Sequence, residues 1–154
     1  MDYSINKMDI TDLDNIKSTL STEFDDFWNY EILKSELESN NSYFFVAKNI
    51  SGEIVGFAGI KVILDEADIM NIVVKKDFRN NGIGSLLLDY LISYSKSINL
   101  KTITLEVNEL NLPAIKLYEK FAFSKLGIRK KYYNGENDAI IMRKSFKQCW
   151  RKVL

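Results

Sequence analysis

The chain has 154 residues, of which 46% are hydrophobic and 27% are charged, so we expect one globular domain that buries its own core. Lysine and arginine total 21, and aspartate and glutamate also total 21. This balance argues against a general nucleic-acid or membrane-surface binder, since such proteins are usually basic. No apolar run approaches the roughly 18 residues of a membrane span, and Met1–Ser4 lacks the charged-then-apolar pattern of a secretion signal.

Histidine is absent and cysteine occurs once, as Cys149. The lack of histidine excludes Ser-His-Asp and Cys-His catalysis and most zinc sites. A single cysteine excludes an intrachain disulfide and fits a reducing compartment. We therefore expect the protein to lie in the cytoplasm.

The charges are unevenly distributed along the chain. Residues 1–40 carry ten acidic residues and three lysines, whereas residues 125–154 carry nine basic residues and two acidic ones. The two ends could simply attract each other and aid solubility. Alternatively, the acidic end is an approach for a cationic ligand and the basic end a patch for an anionic one.

The spacing of apolar residues predicts strands and helices in the order βααβββαβαββ. The predicted strands are Tyr3–Lys7, Tyr43–Lys48, Ile54–Leu64, Ala67–Val74, Thr102–Val107, Lys125–Tyr133 and Ala139–Lys144. The predicted helices run from the N-cap Thr11 to about Phe24, from Phe27 to Leu37, from Ile83 to about Ile98, and from the N-cap Asn111 to about Phe121.

This order predicts an α/β (α+β) fold with a mixed, mostly antiparallel sheet of about seven strands and helices on both faces, not a doubly wound parallel sheet. Because no repeat or flexible linker divides the chain, we expect a single domain over residues 1–146 and a basic tail over residues 147–154.

The segment Arg79-Asn80-Asn81-Gly82-Ile83-Gly84 lies between a predicted strand and a predicted helix. Backbone N–H groups at a helix start lack partners within the helix, and glycine lets a ligand approach the backbone closely. The segment is thus either a tight turn or a cradle for a pyrophosphate, with Arg79 as a cationic donor. A P-loop is excluded because Gly-Lys-Ser/Thr is absent, and a Rossmann site is disfavoured because Leu87 occupies the third glycine position.

The same segment resembles the Arg/Gln-x-x-Gly-x-Gly/Ala signature of the GNAT superfamily of N-acetyltransferases. Over roughly residues 1–146, further segments resemble its bacterial ribosomal-protein-alanine acetyltransferases, the RimI type. These segments include Asn71-Ile72-Val73-Val74, Leu105-Glu106-Val107, Asn111 through Glu119, and Tyr132-Tyr133 through Met142.

The resemblance implies a GNAT fold, acetyl-CoA as cosubstrate, no metal, and a role for each matching position. Glu106 would be the general base and Tyr118 the general acid. Cofactor contacts are implied for Ile72, Val73 and Val74 (pantetheine and acetyl group), for Arg79, Asn80, Asn81, Gly82, Ile83 and Gly84 (pyrophosphate), and for Asn111. Substrate contacts are expected at Trp28, Tyr132 and Tyr133. Trp28 could instead be part of the core, and since Tyr132 and Tyr133 alternate faces, one of them could be core while the other meets the substrate.

Two positions depart from the family pattern. Asp26-Phe27-Trp28 stands where Phe-Pro-Trp is expected, so the loop that faces the substrate can differ. Ala122-Phe123 stands where Gly-Phe is expected, which leaves the turn after the last helix open.

Acetyl transfer from a thioester requires a neutral amine. At pH 7, deprotonation costs roughly 1 kcal/mol for an α-amine of pKa about 7.7–8.0 and roughly 4.6 kcal/mol for lysine. A carboxylate can supply the modest help that an α-amine needs, and Glu106 is the candidate. Glu106 alternates with Leu105 and Val107, so we expect it to point away from one apolar face, and from the residues alone an exposed strand glutamate is favoured over a base. From the residues alone, Tyr118 could equally be a core residue.

The expected function is acetyl transfer to a protein N-terminal amine, and the resemblance points to the N-terminal alanine of the eighteenth small-subunit ribosomal protein. The partner would be that peptide, with no direct nucleic-acid or membrane contact, and the protein would be a monomer or weak dimer. Two alternatives remain open: an enzyme that acetylates a small amine such as a polyamine or aminoglycoside, and a noncatalytic acyl-CoA-binding domain.

Overall fold

The computed structural model describes residues 2–24 and 28–146. The expectations for Phe27 and for the tail at 147–154, including Cys149, lie outside these residues. The strands are β1 (Ser4–Lys7), β2 (Ser42–Lys48), β3 (Ile54–Ile63), β4 (Glu66–Val74), β5 (Thr102–Asn108), β6 (Ser124–Tyr133) and β7 (Asn137–Ser145). The α-helices are α1 (Ile10–Ile16), α2 (Tyr30–Leu37), α3 (Ile83–Ser97) and α4 (Leu112–Lys120). The predicted element order is confirmed.

The seven strands form one mixed sheet in the order β1-β2-β3-β4-β5-β7-β6. β4 and β5 pair in parallel, whereas the other neighbouring strands pair antiparallel. The parallel pairing covers only Glu66–Asp68 against Thr102–Thr104, so the two strands separate beyond these residues. A bulge adds to the opening, because Met70 of β4 has no opposite residue in β3.

Helices pack on both faces of the sheet. On one face α3 buries Leu87, Leu88 and Leu91 against the strands, and on the other α1 and α2 bury Leu13 and Leu33. The close approach of α3 depends on Gly56, where a Cβ would lie 2.9 Å from the Val73 carbonyl oxygen and 3.1 Å from Leu87. The fold class predicted from the sequence is confirmed.

The predicted first helix is wrong in its start and its continuity. Its N-cap is Asp9, not Thr11, because Asp9 and Asp12 form a reciprocal capping box with hydrogen bonds of 2.8 and 3.0 Å. The chain stays helical to Phe24 but changes to a 3₁₀ turn at Lys17 and a π turn at Leu20. Two threonine hydroxyls in this segment donate to backbone carbonyls, Thr19 to Ile16 at 3.4 Å and Thr22 to Thr19 at 3.3 Å, and such competition weakens a regular α-helix.

One residue marks each of two other helix boundaries, the start of α2 and the end of α4. α2 begins at Tyr30 because the Asn29 side chain accepts a 2.9 Å hydrogen bond from the Ile32 N–H. After α4, Ala122 adopts φ = 69°, a left-handed conformation that favours glycine.

Within residues 2–24 and 28–146, no helix has the length and apolar character needed to cross a membrane.

Candidate functional site

A cavity of about 520 Å³ lies where β4 and β5 separate. It is lined by Trp28, Lys61, Asp68, Ile69, Met70, Asn71, Ile72, Val73, Thr104, Leu105, Glu106, Tyr132 and Tyr133. Six of the residues predicted from the sequence therefore meet here: Glu106, Ile72, Val73, Trp28, Tyr132 and Tyr133. The other predicted residues, namely Val74, the segment Arg79–Gly84, Asn111 and Tyr118, lie outside its lining.

Glu106 reaches the cavity because of strand alternation. Its neighbours Leu105 and Val107 are buried in the core under α3, so Glu106 projects from the opposite face. Its side chain is 27% exposed, and its Oε1 lies 2.9 Å from Nη2 of Arg129. The expectation that Glu106 points away from the apolar face is confirmed.

Arg129 is a neighbour that the sequence did not single out. Its guanidinium contacts Glu106 and lies 4.8 Å from the ring centre of Tyr132. The rings of Tyr132 and Tyr133 meet edge to face, with centres 5.0 Å apart. β6 pairs irregularly with β7 between Arg129 and Tyr133, so the alternation of β6 gave no reliable guide to which side chains face the cavity.

Asn71 is a second residue of the cavity to which sequence analysis gave no role. It is only 8% exposed, and neither its amide oxygen nor its amide nitrogen has a hydrogen-bond partner among the described residues. A buried polar group without a partner costs about 1–3 kcal/mol, so such a group usually has a reason to be there. The available signal was its position, since Asn71 is the polar residue of the apolar run Ile69–Val74.

Two ionisable side chains of the cavity are shifted towards their neutral forms. Burial raises the pKa of Asp68, and the nearby Glu66 carboxylate raises it further, while Arg143 opposes the shift. Burial also raises the pKa of the Tyr133 phenol, with Glu106 adding to the effect. The cavity therefore disfavours additional negative charge and favours a cationic or neutral visitor.

The glycine-containing segment forms a separate region at the start of α3. Gly82 precedes the helix with φ = 80°, and no described side chain caps the helix start. The Leu86 N–H makes the first helical bond, to the Gly82 carbonyl at 3.0 Å, so the preceding N–H groups have no helical partner. Asn81 steadies the turn by donating to the carbonyls of Phe78 and Arg79 at 3.0 and 3.2 Å.

Arg79 ties this region to the rest of the fold. Its Nε donates to the Val74 carbonyl at 3.2 Å, and its Nη2 donates to the Phe24 carbonyl at 3.1 Å. An arginine has five N–H donors, so two contacts leave others for an anion. Asn80 continues the turn in a left-handed conformation with φ = 66°.

Val74 and α4 connect this region to the cavity. A Cβ placed on Gly84 would lie 3.9 Å from Val74 and 4.0 Å from Leu117 of α4. Val74 in turn continues β4 from the cavity residues Ile72 and Val73. The C-terminal half of β4 thus runs from the cavity to the glycine-containing loop at the start of α3.

Two residues of the predicted site lie on α4. Tyr118 packs against the Phe123 ring with centres 5.9 Å apart, and burial together with the Tyr133 phenol raises the pKa of Tyr118 to about 12. Asn111 caps the helix, since its Oδ1 accepts a 3.3 Å hydrogen bond from the Ala114 N–H. Tyr118 is therefore a neutral phenol at ordinary pH, and the Asn111 side-chain oxygen is already used.

Comparison with known proteins identifies this arrangement. Residues 10–123 match the Acetyltransferase (GNAT) family. The chain belongs to the GNAT family. As a GNAT enzyme it is an acetyl-CoA-dependent N-acetyltransferase, which confirms the family and the enzyme class predicted from the sequence.

Bacterial relatives share much of the chain. The ribosomal protein bS18-alanine N-acetyltransferase of Haemophilus influenzae is 35% identical over 75% of this chain and 80% of its own length. The enzyme of that name from Escherichia coli K12 is 41% identical over 60% of this chain, and this match spans 64% of the relative. The crystal structure of the ribosomal-protein-S18-alanine N-acetyltransferase from Escherichia coli superposes with a TM-score of 0.88 at 29% identity, covering 99% of both chains.

Proposed function

We propose that this GNAT enzyme acetylates the α-amine of a protein N-terminus, and that its substrate is the N-terminal alanine of the eighteenth small-subunit ribosomal protein. The names of the relatives in Haemophilus and Escherichia support this substrate. The observation that carries the proposal is the cavity itself. Its lining includes Glu106 together with Ile72 and Val73 of β4. Three aromatic residues, Trp28, Tyr132 and Tyr133, also line it.

Acetyl-CoA fits the region at the start of α3. The uncapped helix start offers N–H donors and the positive end of the helix dipole, both suited to a diphosphate. Apart from Gly82 itself and its two neighbours in the chain, no described atom lies within 4 Å of the position that a Cβ of Gly82 would take, so the approach is open. The free donors of Arg79 add positive charge on the same side.

The pantetheine arm and acetyl group of the cofactor would lie along β4. Beyond Asp68 the backbone of β4 is not paired with β5, so the N–H and C=O groups that face the gap have no partner in β5, and the Val74 carbonyl instead accepts from Arg79. The backbone of Ile72, Val73 and Val74 would hold the pantetheine arm and orient the acetyl group. Acetyl-CoA supplies an activated thioester, and backbone N–H groups near Val74 stabilise negative charge on its oxygen.

Glu106 is the proposed general base. It removes a proton from the attacking amine, directly or through one water, which is typically worth about 10²–10⁴-fold in rate. Arg129 holds the carboxylate in place at 2.9 Å. At pH 7 deprotonation of an α-amine costs roughly 1 kcal/mol, so the attacking amine does not need a strong base, and a carboxylate such as Glu106 can serve.

Tyr118 is the proposed partner of the departing sulfur. With a pKa of about 12, its phenol keeps its proton throughout the working range. If the CoA thiol resembles cysteine, with a pKa near 8.5, full proton transfer from this phenol would be uphill by about 5 kcal/mol at about 1.36 per unit. We therefore assign Tyr118 to a hydrogen bond that stabilises the thiolate rather than to complete protonation.

Acetylation of a small amine is the competing function. Asp68 and Glu106 place two carboxylates in one cavity, and such a pair also suits a polyamine. The aromatic walls formed by Trp28, Tyr132 and Tyr133 favour a peptide, because flat rings pack well along a peptide backbone. In the proposed assignment the enzyme works in the cytoplasm as a monomer or weak dimer, without contacting nucleic acid.

Incubation with acetyl-CoA and either an alanine-starting peptide or spermidine tests the proposal through release of free thiol. We expect release with the peptide. Release with spermidine and not with any N-terminal peptide would establish the small-amine function instead. Binding of CoA without turnover of any amine would point to the noncatalytic domain. Mass spectrometry of ribosomal proteins from cells that lack this chain would then test the cellular substrate.

A further inference from the structure

We infer that Asp68 forms a subsite for a cationic side chain, lysine or arginine, at the second or third residue of the acceptor peptide. This inference rests on the proposed function and names the peptide class that the site selects. It starts from an imbalance of ion pairs around the cavity.

Of the two carboxylates that line the cavity, Glu106 has a basic partner among the described residues and Asp68 has none, whereas the nearby Glu36 and Glu66 also have one. The paired groups are Glu36 with Lys61 at 3.5 Å, Glu66 with Arg143 at 4.0 Å, and Glu106 with Arg129 at 2.9 Å. Asp68 has neither an ion pair nor a side-chain hydrogen bond within residues 2–24 and 28–146. An incoming cation would therefore find one carboxylate that no described basic side chain holds in an ion pair, and on which Arg143 acts only from a greater distance.

The residues beside Asp68 in the sheet are directed elsewhere. Across the strands, Lys61 and Thr104 stand opposite Asp68, and Arg143 stands opposite Thr104. Lys61 is bound to Glu36, and the Nε of Arg143 donates to the Thr104 hydroxyl at 3.1 Å. The basic groups nearest in the sheet are thus occupied, and the Asp68 carboxylate lines the cavity beside them.

The register fixes how far Asp68 lies from the reacting amine. Glu106 follows Thr104 by two residues on β5 and projects from the same face. Strand spacings of about 3.3 Å per residue and about 4.8 Å between strands place the Cα atoms of Asp68 and Glu106 roughly 8 Å apart. A peptide advances at most about 3.6 Å per residue, so a long side chain on its second or third residue reaches Asp68 when its amine is at Glu106.

The electrostatics of Asp68 agree with such a partner. Burial and the Glu66 carboxylate both raise the pKa of Asp68, so its charged form is disfavoured in the free enzyme. A bound cation reverses this cost, because an opposite charge within a few ångströms favours the ionised carboxylate. A basic residue of the peptide would therefore offset this cost by its charge, which a neutral residue does not have.

Steady-state kinetics with matched peptides test the inference. Alanine-starting peptides carry arginine at position two, at position three, or glutamine at both, and are assayed with the wild type and Asp68→Asn. We expect the wild type to favour one arginine peptide by about threefold to thirtyfold in kcat/KM, between the values of an exposed ion pair and a charge-assisted hydrogen bond. Asp68→Asn should lose this preference, so that its kcat/KM for the arginine peptides equals its kcat/KM for the glutamine peptide.

Asp65→Asn is the matched control. It removes the same charge three residues away, in a turn where Asp65 pairs with Lys101 at 3.1 Å, outside the cavity lining. This variant should keep the preference for arginine. A charge swap adds a second test, since Asp68→Lys should favour peptides with glutamate at the same position.

The outcomes separate this inference from the proposed function. Equal preference in the wild type and Asp68→Asn, or no preference in either, overturns the subsite and leaves N-terminal acetylation intact. Failure of every peptide, with turnover of spermidine, overturns both. Unchanged CoA affinity and melting temperature in Asp68→Asn would show that the lost preference reflects peptide recognition and not damage to the fold.

Discussion

The loop before α3 and the cavity between β4 and β5 are built in opposite ways. The loop is made of consecutive residues, Arg79–Gly84, and its donors follow from a left-handed glycine and the start of a helix. The cavity takes side chains from β3, β4, β5, the residue Trp28 and the end of β6. In the proposed function, the first is a local structure that binds acetyl-CoA, and the second is a long-range assembly in which the amine reacts. Changes in the two regions should therefore affect different measured quantities.

Glu106→Gln should give the largest effect and should be confined to turnover. Loss of the proposed base should lower kcat by at least about tenfold, because general-base assistance is typically worth about 10²–10⁴-fold. CoA affinity should stay unchanged, because the α3 start is untouched. Stopped-assay turnover and calorimetric CoA titration measure the two quantities separately.

Glu66→Gln is the control for this change, as it removes the same charge from β4 outside the cavity lining. It should leave kcat within about twofold, in line with the small effects of most exposed ion pairs. A Glu106→Gln enzyme with a wild-type rate would remove Glu106 from the mechanism.

Ser85→Asp should produce the reverse pattern, with the loss in binding. Ser85 is in the first turn of α3, so a carboxylate there repels the CoA phosphates and weakens affinity by about tenfold. The same carboxylate favours the helix dipole and should raise stability by about 0.3–1 kcal/mol. The CoA affinity measured by calorimetry should thus fall, whereas the melting temperature measured by thermal unfolding should rise.

Ser85→Asn serves as the neutral counterpart and should bind CoA nearly as the wild type does. Undiminished CoA affinity in Ser85→Asp would show that the phosphates bind elsewhere, and the comparison between loop and cavity would fail.

The sequence predicted the local structure of the loop, a glycine-containing turn before a helix that begins at Ile83, but not how distant strands form the cavity. The turn at Gly82 and the apolar spacing of α3 depend on residues that are close together in the sequence, and most element boundaries do so too. The cavity depends on the short β4–β5 pairing and on the bulge at Met70, which are set by distant strands. Arg129 was missed because irregular pairing of β6 hides its register.

The mistaken N-cap shows that one local signal was available and passed over. Asp9 and Asp12 have capping-box spacing, but Thr11 is the more familiar kind of cap. The break in the helix after Ile16 was harder to foresee, because it depends on hydroxyl groups that compete with backbone bonds.

Tyr118→Phe should have a smaller effect, which sharpens the assignment of α4. Losing one hydrogen bond to the departing sulfur lowers kcat severalfold, the value of about 1 kcal/mol. Because the phenol has a pKa of about 12, it stays protonated below that pH, and the ratio of wild-type to variant rates should be constant from pH 6 to 10. A ratio that falls towards one within this range would mean that Tyr118 ionises there and acts as a true acid.

Ala122→Gly should change stability alone. Its left-handed φ of 69° costs an L-residue about 1–2 kcal/mol, and the added freedom of glycine in the unfolded chain offsets part of this. We expect a net gain of roughly 0.5–1 kcal/mol, measured by denaturant unfolding, with unchanged kcat and CoA affinity. Ala114→Gly, inside α4, is the contrast and should lose about the same amount.

The most direct test of the whole account is to locate the acetyl group on a peptide that offers both an N-terminal alanine and an internal lysine. After incubation with acetyl-CoA and the enzyme, tandem mass spectrometry assigns the modified nitrogen. The account predicts one acetyl group on the alanine α-amine with the wild type and much less with Glu106→Gln. Acetylation of the lysine, or an unmodified peptide while CoA is bound, would contradict it.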